Sequence, residues 1–299
     1  MNIDRIATFG TFAINDIDLA YFDWPAKQPD RQAPTLIFAH ATGFHARVWD
    51  AVIEHFPGHR VVALDLRGHG RSGGGPVADW RLMVSDVIAL LEALDITQAV
   101  GIGHSMGGHV LLQCAADVPA LFSRLVLFDP VILAPEFYAP GQPLFSGDNP
   151  HPATRRKRDF ASPEEMIERF RDRDPYCLFA PRVFEDYCRH GLLPAPAGAG
   201  LELACPPEVE GSIYASSRSN AAILDAARTV DMPVLVVRAL QTDLNDFKSS
   251  PTWPALAEIL PQGTDMHRPD RTHFHPFEDP ADAARIIAEF VAYTSALRC

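Results

Sequence analysis

The chain has 299 residues, 47% of them hydrophobic, so it has ample material for a buried core and intrinsic disorder is excluded. Its formal net charge of -12 argues against nucleic acid or an anionic membrane surface as a partner, because both reward basic surfaces. The five cysteines (Cys114, Cys177, Cys188, Cys205 and Cys299) are odd in number and lack C-x-x-C spacing, which argues against a disulfide framework and a zinc knuckle.

A reducing compartment suits these thiols. The N-terminus shows no basic region followed by an apolar core, and no apolar run approaches the length that spans a bilayer. A cytoplasmic protein without membrane contact is the expectation. The length allows two small domains or one large α/β domain carrying an insertion.

Taken in order, an alternating segment over Thr11–Tyr21, turning near Asn15-Asp16, reads as an antiparallel hairpin at a sheet edge. Short apolar runs follow at Thr35–Ala39, Val61–Asp65, Ala99–Gly103, Leu125–Phe128 and Val234–Val237. Each is almost wholly apolar, as strands covered on both faces are. Between them lie helical patterns. Met83, Val87, Leu90, Leu91 and Leu94 fall on one face behind Asp79 as N-cap. Near the end, Asp279 caps, Pro280 takes the first helical position, and Ile286, Ile287, Phe290 and Val291 form the buried stripe. Strands alternating with helices predict an α/β fold with a mostly parallel central sheet and helices on both faces.

From Val131 to Asp231 the rhythm breaks into a proline-rich stretch with scattered apolar residues. Ser162-Pro163-Glu164-Glu165 is a capping box that starts at least one helix there. The stretch is expected to be an inserted, mainly helical cap over the C-terminal edge of the sheet. Residues 1–130 and 232–299 then make the core and 131–231 the cap. Within the cap, Arg155-Arg156-Lys157-Arg158 reads as a solvated surface.

The chemistry centres on Gly103-His104-Ser105-Met106-Gly107, which follows a strand and opens a helix. Such a strand, sharp turn and helix strain the serine backbone, and only residues without a Cβ fit one turn to either side. A serine hydroxyl needs a base, an orienter for that base and donors for an oxyanion. His273, in the loop before the last helix, is the expected base. His275 is two residues away and faces the other side, and no ligand-spaced companion makes the pair a metal site. Asp243, just after the Val234–Val237 strand, is the expected orienter, with Asp246 and Asp129 as rivals. The order Ser105, Asp243, His273 is that of one particular scaffold. For the oxyanion, the expected donors are the N–H of Met106, at the helix start, and that of Thr42, in the loop His40-Ala41-Thr42-Gly43-Phe44. His40 and His104 read as structural histidines.

Taken together, His40-Ala41-Thr42-Gly43-Phe44 with Trp49, Asp65-Leu66-Arg67-Gly68-His69-Gly70-Arg71-Ser72, Gly103–Gly108, and His273-Phe274 with Pro276 and Glu278-Asp279-Pro280 resemble the α/β-hydrolase superfamily, in its capped, esterase-like form. The resemblance implies the α/β-hydrolase fold and a serine hydrolase acting on a small or medium acyl substrate, most simply a carboxylic ester, without cofactor or metal. C–C bond hydrolysis, lactone hydrolysis and cofactor-free perhydrolysis use a similar triad, and a slowly turning ligand-binding protein would keep the same pocket. Two departures stand out. The oxyanion loop reads His40-Ala41 where relatives have His-Gly, and Arg238-Ala239-Leu240 replaces the usual glycine after the strand that leads to the acid.

Overall fold

Strands whose two faces are both covered should be continuous apolar runs, and β3 (Leu36–Ala39), β4 (Val61–Leu64) and β5 (Ala99–His104) are buried at every residue. They form the centre of a computed structural model that describes residues 5–27, 33–138, 145, 149–196, 198, 200–243 and 246–295. The hairpin is β1 (Thr8–Ile14) and β2 (Ile17–Trp24), with Asn15 at φ 52° in the turn. The helix α1 (Asp50–Ile53) precedes β4. Then come α2 (Arg81–Ala93), β5, α3 (Met106–Asp117) and β6 (Phe122–Phe128).

The intervening stretch holds β7 (Asp159–Phe160), α4 (Pro163–Phe170), α5 (Pro181–His190), β8 (Leu192–Pro194), β9 (Leu201–Leu203), α6 (Pro207–Ala215) and α7 (Ile223–Thr229). The chain closes through β10 (Val234–Ala239), α8 (Leu256–Ile259), β11 (Gly263–Arg268), α9 (His275–Glu278) and α10 (Pro280–Ser295). The main sheet runs β1-β2-β4-β3-β5-β6-β10-β11. Only the β1–β2 and β2–β4 pairings in it are antiparallel. The strand β11 was not expected: its sequence Gly-Thr-Asp-Met-His-Arg is polar because it is an edge strand, nowhere fully buried.

Residues alternate between two apolar layers. Leu36, Phe38, Val61, Ala63, Val100 and Ile102 pack with Trp49 and with Ile286 and Ile287 of α10. Ile37, Ala39, Val62 and Leu64 pack with Val84, Val87 and Leu91 of α2 and Leu111 of α3. Period-two alternation thus assigns helices to both faces. Burying one such side chain is worth about 1.5–3 kcal/mol.

The inserted stretch is less purely helical than expected, since β7, β9 and β8 form a small antiparallel sheet. It also shares both apolar layers. Phe160, Met166, Phe179, Val183 and Tyr187 join the Trp49 side, while Val209, Ile213, Ile223 and Ala227 join the α2–α3 side. Helix α7, expected within the cap, packs with α3 as the crossover into β10. The capping predictions have local counterparts. Ser162 Oγ accepts from the Glu165 N–H at 3.3 Å, and Asp279 Oδ1 accepts from the Asp282 N–H at 3.0 Å.

Candidate active site

In-register parallel pairing brings the ends of β3, β5, β6 and β10 to one edge: Ala39 lies beside Gly103, His104 beside Phe128, and Phe128 beside Val237. Everything that could act on a ligand gathers there. Ser105 turns β5 directly into α3 at φ 56° and ψ -118°, a strained setting for a residue with a side chain. Its N–H donates to the Phe128 carbonyl at 3.0 Å, and its own carbonyl accepts from Gly108 and Val131 at 3.1 Å each. The flanking glycines are required by close approach. A Cβ on Gly103 would stand 2.6 Å from Gly108 Cα, and one on Gly107 would overlap the Ala39 carbonyl.

His273 stands in the loop between β11 and α9 and is held through its backbone. Its N–H donates to the Lys248 carbonyl at 2.8 Å, and its carbonyl accepts from His104 Nε2–H at 2.7 Å. Its ring bridges two side chains: Ser105 Oγ lies 3.0 Å from Nε2, and Nδ1 lies 2.7 Å from Asp129 Oδ2. An ionised carboxylate only accepts, so Nδ1 carries the proton and Nε2 is left to accept from the serine hydroxyl.

The aspartate facing the imidazole is therefore Asp129, and the expectation for Asp243 is corrected. Asp129 follows β6 at φ 49°, and its N–H continues the sheet ladder to the Val237 carbonyl at 2.8 Å. That ladder aims its side chain into the sheet edge, where it is 2% exposed. Asp243 sits on the exposed part of the loop after β10. Asp246 Oδ1 accepts from the Lys248 N–H at 2.9 Å and so shapes a turn. Chain order cannot separate these candidates, because Ser105, Asp129, His273 has the same order of residue types. Sequence reasoning also missed the partners of Asp129 Oδ1: Ser250 Oγ at 2.5 Å, the Ala239 N–H at 3.1 Å and, more distantly, Thr252 Oγ1 at 3.3 Å.

The two expected oxyanion residues are neighbours, with Thr42 Oγ1 3.4 Å from Met106 Sδ. Among the described residues, no protein acceptor takes the N–H of either. The Thr42 loop is tied down by histidines. His40 Nδ1–H donates to the Ala41 carbonyl at 2.8 Å and Nε2 accepts from the Leu66 N–H at 3.0 Å. His69 Nδ1–H donates to the Arg67 carbonyl at 3.0 Å and Nε2 accepts from the Gly43 N–H at 3.1 Å. Burial, joined at His40 by the nearby His69, pulls His40 well below the usual imidazole range and His69 down to about 4, so both are neutral. Asp65 completes the cradle by accepting from the N–H groups of Ala46 at 2.7 Å and Arg71 at 2.8 Å. A side chain at Gly70 would collide with that carboxylate. The glycine displaced to position 43 serves a φ of +79°, where a Cβ would also stand 2.8 Å from Glu210 Oε1.

That Glu210 pairs with Arg156, which is not the solvated cation expected from the Arg155–Arg158 run. Arg156 Nη2–H groups also reach the hydroxyls of Tyr187 at 2.8 Å and Tyr176 at 3.2 Å. Burial opposes its charge, yet Tyr187, Tyr176 and Glu210 together hold the guanidinium firmly protonated. Lys157 and Arg158 pair with Glu165 and Glu208 nearer the surface.

The remaining candidates have structural partners. His275 Nε2 lies 3.1 Å from Asp282 Oδ2, away from Ser105. Cys114, Cys188 and Cys205 are buried free thiols, Cys177 is exposed, and Cys299 lies outside the described residues. Among the described residues, no group of three or more His, Cys, Asp or Glu is placed to hold a metal ion, and no helix is long and apolar enough to cross a membrane.

Known proteins carry the same architecture. A solved E-2-(acetamidomethylene)succinate hydrolase superposes with a TM-score of 0.74 at 18% identity, over 96% of this chain and 99% of that one, a likeness of fold. The chain is 32% identical over 132 residues to an sn-1-specific diacylglycerol lipase ABHD11 of Danio rerio, covering 42% of this chain and 40% of the lipase. It is 39% identical over 108 residues to a non-heme chloroperoxidase of Burkholderia pyrrocinia, covering 34% of this chain and 37% of that protein. The chain thus spans about two fifths of the length of these curated relatives. The model of the alpha/beta hydrolase family matches residues 36–286, which include every strand from β3 to β11 together with Ser105, Asp129 and His273. This chain belongs to the alpha/beta hydrolase family.

Proposed function

We propose that the protein is a serine hydrolase that cleaves a small or medium carboxylic ester through an acyl-enzyme. The observation that carries this reading is the unbroken hydrogen-bonded line from Ser105 Oγ through His273 to Asp129, at 3.0 and 2.7 Å. As Ser105 Oγ attacks the ester carbonyl carbon, its proton passes to His273 Nε2, and Asp129 stabilises the imidazolium that forms. The carbonyl oxygen becomes an oxyanion facing the Thr42 and Met106 N–H groups; removing one such donor costs on the order of 3 kcal/mol in related chemistry. Collapse of the tetrahedral species expels the alcohol, which takes the proton from His273. Water then gives a proton to His273 and attacks the acyl carbon, and the proton returns to Ser105 as the acid leaves.

The inserted segment 131–231 acts as the cap that selects the substrate. Phe44 of the oxyanion loop touches Phe179 and Tyr187 from that segment and Phe274 beside the base, with ring centroids 5.1–6.2 Å apart. An aromatic wall of this kind suits an apolar acyl or alkyl group. Perhydrolysis, in which hydrogen peroxide replaces water at the acyl-enzyme, is the second reading, favoured by the chloroperoxidase relative.

A fluorophosphonate probe tests the proposal. It should label the wild-type protein on Ser105 and leave Ser105→Ala untouched. Hydrolysis of p-nitrophenyl esters of graded chain length then reports the depth of the site. A folded wild-type protein that stays unlabelled would sink the reading.

A further inference from the structure

The loop after β10 supplies no carboxylate to the imidazole, but it touches both of the groups that must work with Ser105. Ser250 is fully buried in this loop, and its hydroxyl reaches Asp129 Oδ1 at 2.5 Å. Asp129 is an acceptor, so Ser250 must donate. The Ser250 backbone is fixed in turn, its N–H donating to the Leu240 carbonyl at 2.9 Å and its carbonyl accepting from Gln241 Nε2–H at 3.3 Å. Thr252, also fully buried, donates its hydroxyl to the Pro130 carbonyl at 2.7 Å, and its N–H reaches Ser250 Oγ at 3.3 Å. Two residues upstream of Ser250, the Lys248 carbonyl accepts the His273 N–H at 2.8 Å. One short loop thus grips the acid by its side chain and the base by its backbone.

We propose that Ser250 is a positioning residue of the hydrolytic site, setting the orientation and basicity of Asp129 and through it the proton affinity of His273. This rests on the serine hydrolase reading above. Asp129 Oδ2 is committed to His273, and Oδ1 is held by Ser250 and the Ala239 N–H, with Thr252 Oγ1 at 3.3 Å but closer to the Pro130 carbonyl. A hydroxyl donated to a carboxylate stabilises its charged form and draws off electron density. Without it, the carboxylate stabilises the imidazolium more strongly, so His273 keeps its proton to higher pH. His104, 5.0 Å from His273 ring to ring, is kept neutral chiefly by burial, and Arg238, on the Asp129 side, is committed to Asp265 at 2.6 Å.

The test is the rate of fluorophosphonate labelling as a function of pH, which reads the deprotonation of His273 without knowledge of the natural substrate. Ser250→Ala should slow labelling about tenfold and move the acidic limb upward by about 0.5–1 pH, while Ser250→Thr, which keeps the hydroxyl, should restore the wild-type limb. A merely structural role would lower the rate without moving the limb, and that outcome overturns the inference, as does a wild-type profile in folded Ser250→Ala. Should the Ala variant not fold, Ser250→Cys, whose thiol is a weaker donor, replaces it with the same expected direction of shift. Wild-type protein that is never labelled would instead remove the serine hydrolase reading, and this inference with it.

Discussion

His40 and His69 hold each other's loops. His40, after β3, accepts from the Leu66 N–H after β4, while His69, after β4, accepts from the Gly43 N–H after β3, at 3.0 and 3.1 Å. Their rings meet edge to face with centroids 4.9 Å apart. This reciprocal tie keeps the Thr42 N–H in place beside Met106. His69→Ala would leave the Gly43 N–H unsatisfied in a buried setting, which costs about 1–3 kcal/mol. The expected result is a lower midpoint in urea together with slower fluorophosphonate labelling. An unchanged midpoint would show that the tie holds nothing.

The same histidines set how the fold responds to acid. Burial lowers His40 and His104 well below the ordinary range, His69 and His109 to about 4, and His45 to about 3. In the unfolded chain they titrate near pH ~6.5, so below that pH the unfolded state binds more protons and stability falls. Each such group removes up to ~1.4 kcal/mol for every pH step until its folded form protonates. Asp186, raised to about 6 by burial and by Asp50, works in the opposite direction, as do buried Asp50 and Asp65. Histidines prevail in this balance. Melting temperature should therefore drop between pH 7.5 and pH 5, and a flat or rising profile would contradict the assignment of neutral buried histidines.

Asp129→Asn should abolish activity while Asp243→Asn should not. An asparagine amide facing His273 Nδ1 favours the wrong tautomer, an effect of about 10⁴ in kcat for the corresponding change in a related triad. Asp243 lies on an exposed stretch, where substitution should change ester hydrolysis by no more than about twofold. The comparison uses one p-nitrophenyl ester and both variants, with circular dichroism confirming the fold. A loss confined to Asp243→Asn would put the acid back on the β10 loop.

What could be read from the chain divides along physical lines. The five central strands announce themselves because they are covered on both faces and so are almost purely apolar. Edge strand β11, with Thr264, Asp265 and His267 exposed and no residue fully buried, carries no such signal, and β7, with two residues, is too short for any periodicity. Ser105 is legible because its turn imposes glycines by contact, and His273 because its loop leads into a capped helix. The acid is different. Asp129, Asp243 and Asp246 each follow a strand of the same sheet, and only the ladder bond from the Asp129 N–H to Val237 decides which carboxylate turns inward. Ser250 escapes for a related reason: nothing local distinguishes a serine that binds a carboxylate from one that caps a turn. Arg156 sat in a run of cations, and the glutamate that buries it lies 54 residues further on.

That distant pair gives a prediction of its own. Arg156 and Glu210 are 17% and 7% exposed, and the pair lies against Gly43 of the oxyanion loop. Breaking a buried ion pair by removing one member leaves the other charge uncompensated and costs about 3–5 kcal/mol, whereas replacing both members by apolar residues of similar size is often close to neutral. Glu210→Met and Arg156→Met should thus each destabilise strongly. The double variant Arg156→Met with Glu210→Met should be more stable than either single one, even though it also removes the guanidinium from the Tyr176 and Tyr187 hydroxyls, which keep each other as partners. Urea denaturation of the four proteins measures the coupling directly. Additive losses would mean that the charges are hydrated rather than paired. Coupling of several kcal/mol would establish that this ion pair ties two parts of segment 131–231 together at the place where it lies against Gly43 of the oxyanion loop.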